Sequence, residues 1–233
     1  LLADWTRSYL ADAGQSDPGE ASAALEQLCR TYWYPLYAYI RRRGYSPEDA
    51  QDLTQGFFAQ FLESGALNTV SPAKGRFRSY LLACCNHFLA NARKQGRTLK
   101  RGGGFRLLGM DEAAAECRYQ IEPATDLTPE KLFERRWALT LLDQALVRLR
   151  EEWRVDGRAA LFQSLRVFLS DVKGATSYAE SARQTGLSEA AARQAVHRLR
   201  LRYRELLREE IARTVGSSSE IEDEIRHLYA AFG

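Results

Sequence analysis

The stretch from Ser177 to Arg208 constrains the fold of this chain most, because it carries the signals for two consecutive helices and the turn between them. Ser177 is a suitable N-cap for the first helix, and Thr185-Gly186-Leu187 is typical of a turn. Ser188 and then Glu189 mark the start of a longer helix, since a hydroxyl caps its first amides and a carboxylate favours its positive end. The pattern predicts two helices joined tightly.

Two stripes with helical spacing run along the second of these helices. The apolar stripe is Ala192, Val196, Leu199, Tyr203 and Leu206, and the basic stripe is Arg193, His197, Arg200, Arg204 and Arg208. An inward apolar face beside an outward basic face suits a helix-turn-helix whose second helix lies in the major groove of DNA. The alternative is a basic surface helix that is only solvated.

Charge is unevenly distributed, although the net charge of the 233-residue chain is only +3. Nine basic residues and no acidic residue lie between Lys74 and Arg106, whereas six acidic residues and one basic residue lie between Asp111 and Glu130. Such asymmetry points to a polyanionic partner. The length allows one large domain or two small ones.

The four cysteines and three histidines form no CxxC pair and no metal-ligand spacing. We therefore predict no disulfide framework, no metal site and a reducing, cytoplasmic location. No apolar run reaches the roughly 20 residues of a membrane span, and no signal peptide is recognisable. No acid, base and nucleophile set converges in the pattern, so no enzymatic activity and no cofactor are predicted; a nuclease or other hydrolase is the enzymatic alternative.

Helix signals dominate the chain, and no strand with alternating polarity is found. Helices are predicted at about Glu20–Arg43, from Ser46-Pro47-Glu48-Asp49 to near Gly65, at Arg76–Gln95, from Thr128-Pro129-Glu130, at Arg158–Ser170, and in a final amphipathic stretch from Ile221 to Phe232. Pro35 is expected to kink or divide the first helix. The acidic segment Asp111–Asp126 is interpreted as a flexible linker between two helical halves, and the final helix is expected to pack on the second half.

Two segments in the first half suggest binding surfaces. In Asp49–Phe58, the side chains of Asp49, Asp52 and Gln55 share a polar helix side that could dock a partner helix. The segment Lys74–Lys94 interleaves cations with aromatic residues, which suits single-stranded DNA because cations follow phosphates and exposed rings stack on bases.

With these segments in order, the chain resembles bacterial RNA polymerase sigma factors of the extracytoplasmic-function (ECF) type over residues 21–94 and 128–208. The Asp-Ala-Gln-Asp-Leu-Thr-Gln stretch from Asp49 resembles the polymerase clamp-binding helix of the family. Phe77-Arg78-Ser79-Tyr80-Leu81 resembles its Phe-Arg-Ala-Trp-Leu promoter-melting segment, with Tyr80 in place of tryptophan. The basic glycine loop Lys100–Gly104 is not part of the family pattern.

The resemblance implies an all-α fold of two small domains: a region-two helical bundle (1–106), an acidic linker (107–127), and a region-four helix-turn-helix with a C-terminal helix (128–233). It implies core RNA polymerase, through its beta-prime clamp and beta flap, and promoter DNA as partners, and leaves an anti-sigma factor or other regulator open. Polymerase contacts are expected at Asp49, Asp52 and Gln55. Contacts with the minus-ten element are expected at Arg76, Arg78, Tyr80, Asn86, His87, Asn91, Arg93 and Lys94. Contacts with the minus-thirty-five element are expected at Ser188, Arg193, Gln194, His197, Arg198 and Arg200.

The function expected from this resemblance is a dissociable transcription initiation factor, with catalysis left to the polymerase. The alternative is a helix-turn-helix DNA-binding regulator that does not bind core polymerase. The polar helix side at Asp49–Gln55 distinguishes the two, because only the first function needs it.

Overall fold

The computed structural model describes residues 18–64, 76–94, 112–121, 126–169, 177–215 and 220–232. Every regular element in those ranges is helical, which confirms the predicted all-α fold for the part of the chain that is described. The helices are α1 (Pro18–Arg42), α2 (Pro47–Glu63), α3 (Phe77–Lys94), α4 (Glu112–Ile121), α5 (Pro129–Val155), α6 (Ala159–Leu165), α7 (Tyr178–Thr185), α8 (Glu189–Ala212) and α9 (Ile221–Ala230), with a 3-10 turn at Arg166–Leu169 after α6. None of these helices combines the length and apolar character that a membrane crossing requires.

The contacts divide the chain into two compact units. Unit 1 contains Leu1–Thr140 and Ile211–Gly233, and unit 2 contains Leu141–Glu210. Both boundaries fall inside helices, α5 and α8, and neither falls at the predicted boundaries of 106 and 128. Helix α9, which was expected to pack on the second half, belongs to unit 1, which also contains residues 128–140 of that half.

The core of unit 1 is built around α1, where every residue from Thr31 to Ile40 is buried. Pro35 lies within this stretch, and α1 is one helix across it, so of the predicted kink or division the division does not occur. Because tertiary packing supplies most helix stability, burial on all sides compensates for the amide that proline lacks. Aromatic contacts join α2 and α3, with the ring centroids of Phe57 and Phe88 at 5.8 Å.

The start of α2 follows its sequence signal. Ser46 adopts an extended conformation, and its side-chain oxygen accepts a hydrogen bond from the Asp49 amide at 3.1 Å. Thr128 does the same for α5, accepting from the Lys131 amide at 3.3 Å. Hydroxyl caps satisfy amides that have no partner within the helix, so both predicted starts are confirmed.

Helix α4 forms within the segment that was predicted to be a flexible linker, so that prediction is wrong for residues 112–121. The carboxylate of Glu116 receives two hydrogen bonds from Arg41 of α1, at 2.9 and 3.0 Å, and one from the hydroxyl of Tyr37. A paired, bidentate carboxylate is much better stabilised than the solvated acid that the composition suggested. Of the remaining linker residues, 107–111 and 122–125 lie outside the described ranges, and 126 and 127 precede α5 without regular structure.

Acid is expected to weaken the docking of α4 on α1. Hydrogen bonding to Arg41 is the main cause that lowers the pKa of Glu116 from 4.5 to about 2. A depressed pKa means that the ion pair stabilises the fold fully above pH 4.5 and loses this effect as the pH falls towards 2. Urea unfolding between pH 6 and pH 2.5 should therefore show a steeper loss of stability in the wild type than in Glu116→Gln. Equal slopes for the two proteins would contradict this role for Glu116.

Unit 2 contains the two helices predicted from Ser177 to Arg208. Ser177 caps α7 by accepting from the Glu180 amide at 3.1 Å, Gly186 adopts a left-handed conformation (φ 69°), and Ser188 caps α8 by accepting from the Ala191 amide at 3.2 Å. The predicted apolar stripe of α8 is buried at Ala192, Val196, Leu199 and Leu206, while Tyr203 is half-buried and its hydroxyl donates to the carbonyl of Leu142. The helix pair and its inward face are confirmed.

The turn between α7 and α8 depends on glycine. A Cβ at Gly186 would meet no atom within 4 Å, so Gly186→Ala is penalised only by its positive φ. We expect this change to lower the free energy of unfolding in urea by about 1 kcal/mol. Gly186→Asn should cost less, because asparagine tolerates the left-handed region. An alanine variant as stable as the wild type would show that the turn does not need glycine.

Candidate nucleic-acid interface

The basic stripe of α8 lies on the outside of unit 2. Arg193, His197, Arg200, Arg204 and Arg208 are all exposed, and so are Gln194 and Arg198 beside them. The buried apolar stripe of the same helix lies next to the basic stripe, about 100° away around the helix axis. The amino-terminal half of α8 thus presents cations and an amide together, the side chains that donate to phosphates and to base edges.

Arg193 has two neighbours on this surface, an aromatic ring and a carboxylate. Its guanidinium lies over the ring of Tyr178 on α7, 5.4 Å from the centroid, and one nitrogen pairs with Glu189 at 2.6 Å. The Arg193 side chain is nonetheless 64% exposed. A surface ion pair within one helix turn is weak, so Glu189 can be exchanged for another anion.

Arg200 has a structural contact that the sequence did not predict. Two of its nitrogens donate to the backbone carbonyl of Phe168 in the 3-10 turn, at 3.0 and 2.8 Å. These bonds connect α8 to the turn and occupy the Nε edge of a guanidinium that was expected to contact DNA. Ser188 is likewise engaged, since its hydroxyl caps α8.

In unit 1, Arg78 does not lie on the surface, where the sequence prediction placed it. Its side chain is only 2% exposed and pairs with Glu134 at 2.5 Å and with Glu224, while its guanidinium stacks on the indole of Trp137 at 4.3 Å. Burial lowers the pKa of Arg78, but the two carboxylates raise it more, so the cation is retained. Contact between Arg78 and DNA is therefore excluded in this conformation.

Arg76 belongs to the same cluster but lies at its edge. Its Nε is 3.3 Å from Glu224, one Nη is 2.8 Å from the ring of His227, and its side chain is 39% exposed. Helix α9 therefore contacts both Arg76, which precedes α3, and Arg78, which lies in the first turn of α3. Sequence analysis missed Glu224, although a signal existed: the residue falls on the apolar stripe of Ile221, Ile225 and Leu228, where a charge is unexpected.

The other predicted residues of α3 separate into two groups. His87, Asn91 and Lys94 are exposed and Tyr80 is half-buried, and their spacing of three, four or seven places them on one side of the helix. Asn86 instead accepts from the hydroxyl of Tyr39 at 2.6 Å and from Arg43. Of the predicted minus-ten residues, the structure thus brings these four together and directs Asn86 inward.

Arg93 lies at the carboxyl end of α3 and is exposed. Its Nε donates to the hydroxyl of Tyr45 at 2.7 Å, and the guanidinium lies 5.3 Å from the centre of that ring. The cation remains accessible beside the Lys94 side chain. The basic glycine loop Lys100–Gly104 that follows lies outside the described residues.

Asp49, Asp52 and Gln55, which were predicted to bind polymerase, lie within helix α2. Asp49 and Asp52 are exposed, and Gln55 is half-buried. Glu48 adds a further exposed carboxylate near the start of the helix. Within the described ranges, no group of three or more His, Cys, Asp or Glu side chains is arranged to hold a metal ion.

No protein-family model matches the chain, and no match is found among curated proteins or among solved structures. The functional argument therefore rests on the geometry of the helices and on the charges that they present.

Removing Glu224 should destabilise unit 1 strongly. Glu224→Ala leaves the buried Arg78 with one carboxylate partner fewer, and breaking a buried pair in this way lowers the free energy of unfolding by about 3 kcal/mol. Asp223→Asn, on the same helix turn, alters an exposed pair with Arg226 and should have little effect. Chemical denaturation of both variants measures the difference. Similar small losses would show that Glu134 alone satisfies Arg78.

Proposed function

We propose that the chain is a transcription initiation factor that binds core RNA polymerase and directs it to promoters. The observation that carries this proposal is the exposed set of Arg193, Gln194, His197 and Arg198 on a helix that follows a tight turn. A helix of this kind fits the major groove, where arginine recognises guanine and glutamine recognises adenine. In this function, α8 binds the minus-thirty-five element.

The exposed side of α3 supports a role for unit 1 in binding the opened minus-ten element. Tyr80, His87, Asn91 and Lys94 combine rings, an amide and a cation along one helix. Rings stack on unpaired bases while cations attract the phosphates, which offsets the energy of unstacking. Arg78 is buried between carboxylates, and Arg76 and Asn86 contact Glu224 and Tyr39. We therefore assign strand capture to the exposed side chains of His87, Asn91, Arg93 and Lys94, with the half-buried ring of Tyr80, which lies 6.4 Å from that of Phe61, beside them.

The acidic side of α2 supplies the third surface. Asp49 and Asp52 could accept hydrogen bonds from cationic side chains of the beta-prime clamp, with Gln55 beside them. This chain would then supply recognition and strand capture, and the polymerase would supply the chemistry of RNA synthesis.

One observation favours the second candidate function, a DNA-binding regulator that does not bind polymerase. Arg78 is buried and Arg76 is paired with Glu224, which removes two cations from the segment that would open DNA. Such a protein needs only the duplex-binding surface of unit 2. Binding to core polymerase separates the two functions.

The purified 233-residue chain should co-purify with core RNA polymerase and support transcription from a randomised promoter library. The double variant Asp52→Arg/Gln55→Ala should reduce binding to the polymerase at least tenfold, because it reverses a charge on the docking side. The control Glu63→Arg/Gln60→Ala places the same charge reversal about 16 Å, and the same alanine about 8 Å, further along α2 and should bind normally.

Three results would contradict the proposal in different ways. Failure to bind core polymerase, with sequence-specific duplex binding intact, would support the regulator. Equal loss in the test and control variants would remove the assigned side of α2 from the contact. Metal-dependent cleavage of DNA by the pure protein would indicate an enzyme.

A further inference from the structure

Three side chains of unit 2 form a column that ends at Arg193. The ring of Phe168 stacks on the ring of Tyr178, with centroids 4.8 Å apart and planes 2° from parallel. The guanidinium of Arg193 lies over the same tyrosine at 5.4 Å from its centroid. The column therefore joins the 3-10 turn, α7 and α8 through planar groups, whose stacking favours particular orientations.

The column is anchored to α8 at both ends. Phe168 accepts two hydrogen bonds from Arg200 through its carbonyl, and Arg200 lies seven residues after Arg193, two turns further along the same side. The chain of contacts thus runs from Arg200 to Phe168, to Tyr178 and back to Arg193. Because these contacts begin and end on α8, they restrain the position of the Tyr178 ring relative to the helix that carries Arg193.

Glu189 and Tyr178, the two neighbours of Arg193, differ in whether they compete with DNA for its guanidinium. Glu189 is 48% exposed, and its ion pair with Arg193 competes with phosphates and base edges. The ring of Tyr178 offers no hydrogen bond to the guanidinium plane and does not compete with a base. Bidentate recognition of guanine requires a defined guanidinium plane, which a flexible arginine otherwise lacks.

We propose that Tyr178, supported by Phe168, is a positioning residue that orients Arg193 for guanine at one base pair of the bound duplex. This inference rests on the proposed function, since it names a determinant of specificity for the same surface. Tyr178 itself does not touch the base. Glu189 holds Arg193 in the free protein and releases it on binding.

The experiment is a double-mutant cycle with sequence preference as the readout. Duplexes are selected from a random library by the 233-residue chain, with and without core RNA polymerase. Affinities are then measured for each single base-pair change. Arg193→Ala should lower the preference at one base pair about tenfold. Tyr178→Leu should lower the preference at that same base pair about fivefold, and should add nothing in the Arg193→Ala background.

Two further variants separate positioning from a merely structural effect. Tyr178→Phe keeps the stack and the cation–π contact, so it should retain the preference of the wild type. Tyr203→Leu removes another half-buried tyrosine of unit 2 and should weaken binding to all sequences alike, without altering the preference. Only Tyr178→Leu should act at the base pair identified by Arg193→Ala.

Several results would overturn the inference. Additive losses in Tyr178→Leu/Arg193→Ala, or a uniform loss of affinity in Tyr178→Leu, would reduce Tyr178 to a packing residue. An Arg193→Ala variant with unchanged preference would remove Arg193 from the readers while leaving DNA binding in place. If the wild type selects no sequence under either condition, the proposed function fails and the inference fails with it.

Discussion

The buried cation of Arg78 is the interaction on which the arrangement of unit 1 depends. Removing a charge from water is expensive, so an interior arginine requires partners placed in fixed positions. Glu134 from α5, Glu224 from α9 and the face of Trp137 meet this requirement together. Because these partners come from distant parts of the chain, satisfying one guanidinium brings three helices to one place. The cluster explains why α9 belongs with α3 in unit 1, although it follows α8 in sequence.

The features that were predictable from the sequence are those with local causes. The caps at Ser46, Ser177 and Ser188 each involve an amide three residues away, and the apolar stripe of α8 follows from helical period alone. The features that were missed depend on partners far along the chain. Arg78 lies 56 residues from Glu134 and 146 from Glu224, and Tyr37 lies 79 from Glu116. From charge composition alone, such residues are expected to be exposed to solvent. Composition does not show which carboxylate will pair with a given cation in the fold.

The candidate site shows the same division. On α8, sequence reasoning identified an outward basic side, and the side chains of Arg193, His197 and Arg198 are exposed as expected. It did not predict that Arg200 would donate to a carbonyl in the 3-10 turn, since that turn contributes a backbone atom and no sequence signal. On α3, helical spacing alone separates the exposed Lys94 side from the inward Asn86.

Sequence distance between charge partners also distinguishes cations that form the fold from cations that are available to a polyanion. A buried long-range pair, such as Arg78 with Glu224, cannot be exchanged for a phosphate without first opening the packing around it. An exposed pair within one helix, such as Arg193 with Glu189, loses little when a phosphate or a base replaces the carboxylate. Counterion release favours that replacement on DNA, because each neutralised phosphate returns its own condensed cations to solution. A basic side of a helix is therefore best judged by the partners of its cations rather than by their number. By this criterion the start of α8 is a better candidate for the proposed DNA-binding surface than the start of α3.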